Sequence, residues 1–268
     1  MKPYVLITGA SGGLGKAFAF AYAKKGMNLV LTDLPNTGLG VLSNFLRLNY
    51  GVKIFDKEID LSLIDNCNQL YKEVKEHGIS ISYLINNAGV LSQGFFEEVT
   101  KRYIETQIEV NVMVPTLLSK LFLDDLKLHK PSGILNVCSM ASFFNLPTKQ
   151  VYGATKAYLL SFSKSLSLEL EPYGITVSAM CPGGLNTTTQ MCLHNSRLPW
   201  LSKQSILDPE IAVDIAIKAF QKGKKVIIPG KVNKLLHLID GLLPGILKRL
   251  LMLKTMNSFN TKSKFSYA

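Results

Sequence analysis

Tyr152 and Lys156 form a Tyr-x-x-x-Lys pair that could carry out proton transfer. A spacing of four residues places both side chains on one face of a helix. A free tyrosine has a pKa of about 10, so it is a poor acid or base near neutral pH. A nearby ammonium stabilises the phenolate, and we therefore expect Lys156 to lower the pKa of Tyr152 into a useful range. In isolation, such a pair is also common on ordinary helix surfaces.

Ser139 is the second residue with chemical potential. It ends the strand-like run Asn136-Val137-Cys138, thirteen residues before Tyr152. Its hydroxyl could hold a substrate oxygen beside the tyrosine while a proton moves between that oxygen and the phenol. Together, Ser139, Tyr152 and Lys156 predict acid/base chemistry at a carbonyl or alcohol oxygen.

A glycine-rich loop, Thr8-Gly9-Ala10-Ser11-Gly12-Gly13-Leu14-Gly15, follows the first apolar run. Glycines at 9, 13 and 15 remove Cβ atoms where the backbone must turn tightly and approach a pyrophosphate. The helix that follows offers free N–H groups and a positive dipole end to phosphates. Many glycine turns are only turns, but a strand before and a helix after favour nucleotide binding.

Asp33 ends the second strand-like run, eighteen residues past Gly15. An acid there can accept hydrogen bonds from the adenosine ribose hydroxyls and would repel a 2′-phosphate. The next residue, Leu34, is apolar, whereas a site that binds the 2′-phosphate of NADP would have a basic residue there. The nearest basic residue, Lys16, lies at the start of the predicted helix. The sequence therefore favours NAD over NADP, and the alternative makes Asp33 a turn residue before Pro35.

Strand-length apolar runs alternate with helical patterns along most of the chain. This order indicates right-handed βαβ crossovers and a mainly parallel sheet, an α/β fold of the doubly wound Rossmann type. We predict one dinucleotide-binding and catalytic domain over residues 1–230 and a basic, amphipathic helical appendage over 231–268. The predicted strands are Tyr4–Thr8, Leu29–Thr32, Val52–Glu58, Tyr83–Asn86, Gly133–Cys138, Ile175–Cys181 and Lys225–Ile228, and the predicted helices include Leu14–Lys25, Leu63–His77, Arg102–Leu128 and Tyr152–Glu171.

The composition narrows the class of protein. The chain has 268 residues, 47% of them hydrophobic and 18% charged, which excludes general disorder and allows a large core. Its four cysteines lie far apart without a CxxC pair, so we expect no metal site, redox dithiol or disulfide framework. The first residues, Met-Lys-Pro, lead directly into a strand-like run without an apolar leader, and we expect a cytoplasmic protein.

The positive charge is concentrated at the end of the chain. The formal net charge is +11, and the stretch from Lys218 onward holds eleven Lys and Arg residues against one acid, Asp240. Such an end favours anionic partners, either an acidic lipid surface or a charged substrate handle, although it could equally be a solubilising face. Few aromatics are interleaved with the basic residues, so we expect no nucleic-acid partner.

Residues 4–230 resemble the short-chain dehydrogenase/reductase family. The resemblance is carried by several short motifs in the family's order. They are the TGxxxGxG loop from Thr8 to Gly15, Asp60-Leu61, Asn86-Asn87-Ala88-Gly89, Val110-Asn111-Val112, Ser139, Tyr152-Gly153-Ala154-Thr155-Lys156, and Pro182-Gly183 followed by Thr187.

The resemblance implies a role for each matching residue. Tyr152 would be the general acid/base, Lys156 would bind the nicotinamide ribose, and Ser139 would polarise the carbonyl. Asn111 would sit at a helix irregularity and hold a water of a proton relay. The implied cofactor-binding residues are Gly9, Ser11, Gly12, Gly13, Leu14, Gly15, Asp33, Asp60, Leu61, Asn87, Ala88, Gly89, Tyr152, Lys156, Pro182, Gly183, Leu185 and Thr187.

Two positions depart from the family's pattern. Cys138 replaces a frequent serine beside Ser139, and we expect its thiol to pack in the core. Pro115 stands where a glycine is frequent, and we expect it to shape the helix around Asn111.

The loop after Thr187 would cover the substrate. Four apolar side chains, Met191, Leu193, Leu198 and Trp200, favour an apolar ketone or secondary alcohol, unless they simply close the core. The predicted function is hydride transfer between a nicotinamide cofactor and such a substrate, a 3-oxo lipid or a steroid. The alternative is a non-catalytic dinucleotide-binding regulator or scaffold. The family resemblance implies a homodimer or homotetramer.

Residues 231–254 predict two short amphipathic helices joined at Gly241–Gly245. Leucines on one side and basic residues on the other are typical of an interfacial helix, so contact with a membrane surface is one interpretation. Self-packing as a lid or dimer contact is the other. An Ile-Pro-Gly segment followed by a leucine-rich basic tail also resembles, more weakly, the branch of the family that reduces long-chain 3-oxo lipids, including 3-ketosphinganine reductases.

Overall fold

The computed structural model describes residues 2–91, 94–198, 200–248 and 250. Seven parallel strands form one sheet in the order β3-β2-β1-β4-β5-β6-β7. This is the predicted doubly wound α/β fold. The strands are β1 (Tyr4–Thr8), β2 (Asn28–Asp33), β3 (Ile54–Glu58), β4 (Ile81–Asn86), β5 (Ser132–Val137), β6 (Ile175–Met180) and β7 (Val226–Ile227).

Helices connect the strands and cover both faces of the sheet. They are α1 (Gly13–Lys24), α2 (Leu39–Tyr50), α3 (Asp65–Glu76), α4 (Lys101–Ile108), α5 (Val114–Leu121), α6 (Leu123–Leu128), α7 (Gln150–Leu170), α8 (Thr189–Ser196), α9 (Trp200–Lys203), α10 (Pro209–Gln221) and α11 (Lys231–Leu242). The prediction of one continuous helix over Arg102–Leu128 is wrong. The segment is split into α4, a π-helical turn (Glu109–Met113), α5 and α6.

The core has a layer on each side of the sheet because neighbouring residues of a strand point to opposite faces. In β1, Val5 and Ile7 pack with buried residues of α1, α2 and α10. Leu6, between them, packs on the other side with residues of α3 and α5. The central strands are therefore apolar at nearly every position, as expected for a parallel sheet covered on both faces.

The carboxyl ends of parallel strands lie at one edge of the sheet. The strand order reverses beside β1, which pairs with β2 on one side and with β4 on the other. A crevice at such a switch point is where α/β folds bind ligands. The residues that follow β1, β2, β4, β5 and β6 are therefore brought to the same region.

The end of the described chain is helical. Helix α11 begins at Lys231, and a further short helical turn covers residues 245–248. This agrees with the prediction of two short helices, while the domain boundary at residue 230 stays a prediction. Within the described residues, no helix combines the length and the apolar character needed to cross a membrane. Residues 251–254 of the predicted amphipathic segment lie outside the described residues.

Candidate active site

The glycine loop closes on itself and on its neighbours. Gly9 adopts φ +64°, which favours glycine, and a Cβ there would lie 3.0 Å from Ala88 Cα. A Cβ on Gly15 would fall 2.0 Å from the Gly9 carbonyl oxygen, and one on Gly13 would fall 2.6 Å from that of Thr187. The three glycines are therefore required by close backbone approach. This packing fixes the path of the loop at the start of α1, and its predicted role in binding a pyrophosphate stays a prediction.

Thr8 ties the end of β1 to the end of β4. Its hydroxyl oxygen accepts hydrogen bonds from the N–H groups of Asn87 and Ala88, each at 3.0 Å. The Asn87 amide donates back to the carbonyls of Thr8 at 2.8 Å and Gly9 at 3.0 Å. The Asn87-Ala88-Gly89 turn is thereby fixed directly against the glycine loop.

Asp33 joins the end of β2 to that loop. Its carboxylate accepts the Ser11 N–H at 2.6 Å and the Leu34 N–H at 2.8 Å. The bond from Leu34 is a local turn bond, as expected if Asp33 is a turn residue before Pro35. The bond from Ser11 places the negative charge of Asp33 at the glycine loop, as expected if Asp33 binds a ribose. Both sequence interpretations of Asp33 are therefore compatible with its geometry.

Asp60 and Leu61 occupy the loop that follows β3. The Asp60 carboxylate accepts the Ser62 N–H at 2.9 Å, and its carbonyl accepts the Asn66 amide at 2.7 Å. Leu61 is buried. Asp60 therefore holds its own loop in place, and its predicted contact with an adenine ring stays a prediction.

Tyr152, Ser139 and Lys156 come together at the ends of α7 and β5. The Ser139 side chain lies near the Tyr152 phenol, and both Tyr152 and Lys156 are buried. The Lys156 ammonium lies 5.9 Å from the centroid of the tyrosine ring and donates to the Val137 carbonyl at 2.8 Å. The Ser142 hydroxyl donates to the Lys156 carbonyl at 2.9 Å, which fixes the turn after Ser139 to α7.

The predicted lowering of the pKa of Tyr152 is wrong for this structure. Burial raises the pKa of Tyr152 above its usual value, and the nearby Ser139 side chain offsets only part of that rise. Burial also lowers the pKa of Lys156. The ammonium is directed at the Val137 carbonyl and not at the phenol oxygen, so it does not compensate for the lost hydration of a phenolate.

Asn111 lies in the middle of the π-helical turn and is completely buried. Its side-chain oxygen accepts the Val90 N–H at 2.8 Å. Its side-chain amide donates to the Val90 carbonyl at 2.9 Å and to the Thr155 hydroxyl at 3.1 Å. In an α-helix the Asn111 carbonyl would accept from residue 115, but Pro115 has no N–H. The proline thus gives a physical reason for the irregularity.

Gly89 is the point where the cofactor motif meets the chemical residues. A Cβ there would lie 3.3 Å from Asn111 Oδ1 and 3.3 Å from Lys156 Nζ. The structure therefore brings Asn111, Lys156 and the Asn87-Ala88-Gly89 turn into direct proximity, although they are far apart in the chain. Their catalytic and binding roles stay predictions.

The segment after β6 closes the site from the other side. The Pro182 carbonyl accepts the Met140 N–H at 2.9 Å, so this segment lies beside the turn that follows Ser139. Leu185 forms a parallel bridge with Leu207, and Thr187 lies against Gly13. The sequence-predicted residues from 182 to 187 are therefore held between the glycine loop and the chemical residues.

Asn233 is a contact of this segment that sequence reasoning missed. It lies in the first turn of α11, is 2% exposed, and donates to the carbonyls of Ser205 at 3.0 Å and Pro229 at 2.9 Å. A Cβ on Gly183 would fall 2.5 Å from its side-chain oxygen. The available signal was a lone amide residue at the start of a leucine-rich helix, which the sequence interpretation treated as part of an appendage.

Cys138 and Cys181 lie side by side where β5 and β6 end. Both are buried, and a hydrogen bond between the two thiols, together with burial, raises the pKa of Cys181 well above its usual value. A buried neutral thiol is a packing group. This agrees with the expectation that Cys138 packs in the core.

The loop after Thr187 forms α8 and α9 and exposes apolar side chains. Leu193 is 57% exposed and Trp200 is 73% exposed, so neither closes the core. Met191 and Leu198 are half-buried. Leu91, next to the turn that contains Gly89, is also exposed. These exposed apolar side chains belong to the segments that follow Gly89 and Thr187, two of the predicted cofactor-binding residues.

The fold and the site are those of a Rossmann-type α/β protein. Residues 3–197 match the family model described as short chain dehydrogenase. That match covers well over half of the chain, and the chain belongs to the short-chain dehydrogenase family. The family predicted from the motifs is thereby confirmed.

Relatives within the family share substantial identity. A very-long-chain 3-oxoacyl-CoA reductase of Phaeosphaeria nodorum is 35% identical over 66% of this chain and 53% of its own length. A very-long-chain 3-oxoacyl-CoA reductase of Rattus norvegicus is 30% identical over 98% of this chain and 81% of its own length. The matched residues thus span about half the length of the fungal relative. The predicted resemblance to long-chain 3-oxo lipid reductases is confirmed, and that to the 3-ketosphinganine group stays a prediction.

Solved structures repeat the fold. A short-chain dehydrogenase from Sphingobium yanoikuyae in complex with NADPH is 31% identical, with a TM-score of 0.78 over 91% of this chain and 94% of its own. The likeness supports a nicotinamide cofactor for this chain.

Proposed function

We propose that this protein is an NAD(H)-dependent oxidoreductase that reduces the carbonyl group of an apolar, lipid-like ketone. The observation that carries the proposal is the convergence of four side chains at the carboxyl edge of the sheet. Lys156 lies 5.9 Å from the Tyr152 ring and, with Asn111, against Gly89, and the Ser139 side chain lies near the Tyr152 phenol. A scaffold or regulator that only binds a dinucleotide would not need these four residues to converge.

The residues present fit a nicotinamide dinucleotide. The backbone N–H groups of the glycine loop and of the first turn of α1 would bind the pyrophosphate, and the close packing of Gly9, Gly13 and Gly15 holds that loop in place. Asp33 would accept hydrogen bonds from the adenosine ribose. Lys156 donates one of its three ammonium hydrogens to the Val137 carbonyl, and the others would bind the nicotinamide ribose. The remaining predicted cofactor-binding residues, between Asp60 and Thr187, follow strands that end at the same edge of the sheet. The bound cofactor would supply the hydride.

The chain's own residues would position the carbonyl and move the proton. The Ser139 hydroxyl would donate a hydrogen bond to the substrate oxygen and polarise it, and the Tyr152 phenol would deliver the proton to that oxygen. Lys156 would bind the nicotinamide ribose, and Asn111 would hold a water of the proton relay. Because both polar groups of the Asn111 side chain are already bonded to Val90 and Thr155, a relay water would be held by the Asn111 main chain.

The proposed direction is reduction of the ketone. In this direction the Tyr152 phenol would give its proton to the substrate oxygen, and in the reverse direction the phenolate would take it back. Reductases among the relatives are consistent with this direction.

The substrate class follows from exposed apolar side chains and from the relatives. Leu193 and Trp200 expose apolar side chains in the segment that follows Thr187, and the named relatives are very-long-chain 3-oxoacyl-CoA reductases. We infer a ketone with a long apolar portion. The preference for NAD rests on the carboxylate of Asp33, and the NADPH of the Sphingobium structure makes NADP the alternative. The cytoplasmic location and the homodimer or homotetramer stay predictions.

A single set of assays tests the proposal. Calorimetry would compare NADH with NADPH, and hydride transfer would be followed with long-chain 3-oxo lipids, steroid ketones and short polar ketones. We expect tighter NADH binding and turnover only of the apolar ketones. Tyr152→Phe should abolish turnover and leave the affinity for NADH within about twofold, since the ring stays in place.

Tyr158→Phe is the matched control because Tyr158 lies on the same helix, is 42% exposed, and bonds only the Thr116 hydroxyl among the described residues. It should retain activity. A Tyr152→Phe variant that turns over normally would overturn the proposed chemistry. Cofactor binding without turnover of any ketone would instead favour the regulator or scaffold.

A further inference from the structure

Helix α11 turns an apolar face away from the protein. Leu235, Leu238, Ile239 and Leu242 follow one another at i, i+3, i+4 and i+7, a spacing that places them on one side of a helix. Their side chains are 55%, 62%, 43% and 78% exposed, in that order. These four residues are called the α11 face below.

The polar side of the same helix is directed inward. Asn233 is buried against Gly183, and the His237 ring lies 4.1 Å from the Phe143 ring, measured between centroids. Asp240 is half-buried and pairs with Lys248 at 2.9 Å. A helix on a water-facing surface normally shows the opposite arrangement, with its apolar stripe toward the core. The apolar side chains on the outer side of α11 are therefore removed from water only if an apolar surface covers them.

The apolar surface continues past the end of α11. Ile246 is 79% exposed and Leu250 is 58% exposed. The pairing of Asp240 with Lys248 connects the short turn at 245–248 to α11. The exposed apolar residues thus extend over two consecutive helical pieces, as expected for a segment that lies along an interface.

Basic residues accompany this surface. Lys231 and Lys234 are both exposed on α11, and the only acid after Lys218, Asp240, is already paired. The positive potential of this end of the molecule is complementary to an anionic lipid surface.

A second copy of the chain is the competing occupant. In a symmetric dimer the same patch would face itself, so two patches would meet that each carry Lys231 and Lys234 and whose acid, Asp240, is already paired with Lys248. Like charges brought together across an interface oppose association. Charge complementarity therefore favours a lipid surface over self-association.

We propose that the α11 face docks on the surface of an anionic lipid bilayer and holds the active-site edge of the sheet toward it. Through Asn233 and His237, the same helix contacts Gly183 and Phe143, which flank the chemical residues. Docking would then present the site to apolar ketones dissolved in the bilayer. This last consequence rests on the proposed function, whereas the docking itself does not.

Co-sedimentation with vesicles tests the docking. The full chain is mixed with phosphatidylcholine vesicles containing about one third phosphatidylglycerol, and with pure phosphatidylcholine vesicles. We expect binding to the anionic vesicles that falls at least about tenfold in the variant Leu235→Ser/Leu238→Ser/Leu242→Ser, because the buried apolar area is lost. Absence of binding by the unmodified chain would overturn the proposal.

Helix α2 offers a matched control. Val41, Phe45 and Leu48 form an exposed apolar stripe at i, i+4 and i+7, but the one basic residue of α2, Arg47, is paired with Asp56. The variant Val41→Ser/Phe45→Ser/Leu48→Ser should bind vesicles as the unmodified chain does. Equal loss in both variants would mean nonspecific adhesion and would overturn the assignment to α11.

The charge contribution is tested separately. Lys231→Glu/Lys234→Glu should weaken binding to the anionic vesicles about tenfold, while Lys24→Glu/Lys53→Glu, which changes exposed lysines elsewhere, should have a smaller effect. Equal effects of the two pairs would contradict docking by α11.

Light scattering without vesicles completes the test. A dimer that becomes a monomer in the Leu235→Ser/Leu238→Ser/Leu242→Ser variant would show that a second copy covers the α11 face and would overturn the proposal. Turnover of a steroid ketone, added without vesicles, is measured on every variant. If turnover persists while vesicle binding fails, only the docking is refuted; if vesicle binding occurs without turnover, only the proposed function is.

Discussion

Replacing Asn233 by alanine should show that α11 is part of the active-site structure. The Asn233 amide donates two hydrogen bonds, to the carbonyls of Pro229 and Ser205, and its side-chain oxygen lies against Gly183. Alanine removes both donors and leaves a small void beside the segment predicted to contact the nicotinamide. We therefore expect losses both in stability and in cofactor affinity.

The magnitude follows from the two bonds. Each contributes about 1 kcal/mol net, and a buried carbonyl left without a donor costs about 1–3 kcal/mol. The expected loss in the free energy of unfolding is therefore about 2–4 kcal/mol. If about 2 kcal/mol of that loss is expressed as disorder of the 182–187 segment, the dissociation constant for NADH rises by up to about 30-fold.

Urea denaturation and calorimetry with NADH measure the two quantities. Asn49→Ala is the control because the Asn49 amide also bonds the carbonyl four residues earlier, that of Phe45, at 2.8 Å, but on an exposed helix surface. Both changes gain the same helix propensity, so that contribution cancels. We expect Asn49→Ala to change stability by about 0.5 kcal/mol or less and to leave NADH affinity unchanged.

A double-mutant cycle with Gly183→Ala sharpens the test. Because a Cβ on Gly183 would fall 2.5 Å from the Asn233 side-chain oxygen, Gly183→Ala should be costly alone and better tolerated in the Asn233→Ala background. Additive effects, or an Asn233→Ala variant that matches Asn49→Ala in both measurements, would refute the reasoning that Asn233 supports this segment.

Three further predictions concern separate groups. Asp33→Asn removes a negative charge and should raise the NADPH-to-NADH affinity ratio about tenfold in calorimetry; an unchanged ratio would leave Asp33 a turn residue. Burial raises the pKa of Tyr22, so above pH 10 its ionisation in the unfolded chain should cost about 1.4 kcal/mol of stability per pH unit. Tyr22→Phe should make the loss of stability above pH 10 smaller in urea titrations, with the contribution of the buried Tyr152 remaining, whereas the half-exposed Tyr173→Phe should not. Thr155→Val leaves an N–H of the buried Asn111 amide without its acceptor and should cost about 1–3 kcal/mol in stability and lower kcat; normal stability would contradict the bond at 3.1 Å.

Much of the fold was predictable because its signals are local. Each parallel strand is buried on both faces, so its apolar run is visible in the sequence, and the glycine loop reveals itself by three positions where a Cβ cannot fit. The break in the Arg102–Leu128 pattern was not predicted, since its residues keep a helical periodicity throughout. The π-helical turn arises where Pro115 lacks the donor for an α-helical bond and Val90 holds the Asn111 side chain.

The sequence predicted which side chains would come together at the candidate site, but not their electrostatics, and their roles stay predictions. The sequence determined which side chains gather at the carboxyl edge, because a parallel sheet brings successive strand ends together. Only the tertiary structure decided that burial raises the pKa of Tyr152 and that Lys156 is aimed at Val137, since hydration and direction depend on every neighbour at once. It also decided that Asn233 supports Gly183 and that α11 faces outward with its leucines. An amphipathic pattern specifies two faces of a helix, and only packing determines which of them meets the protein.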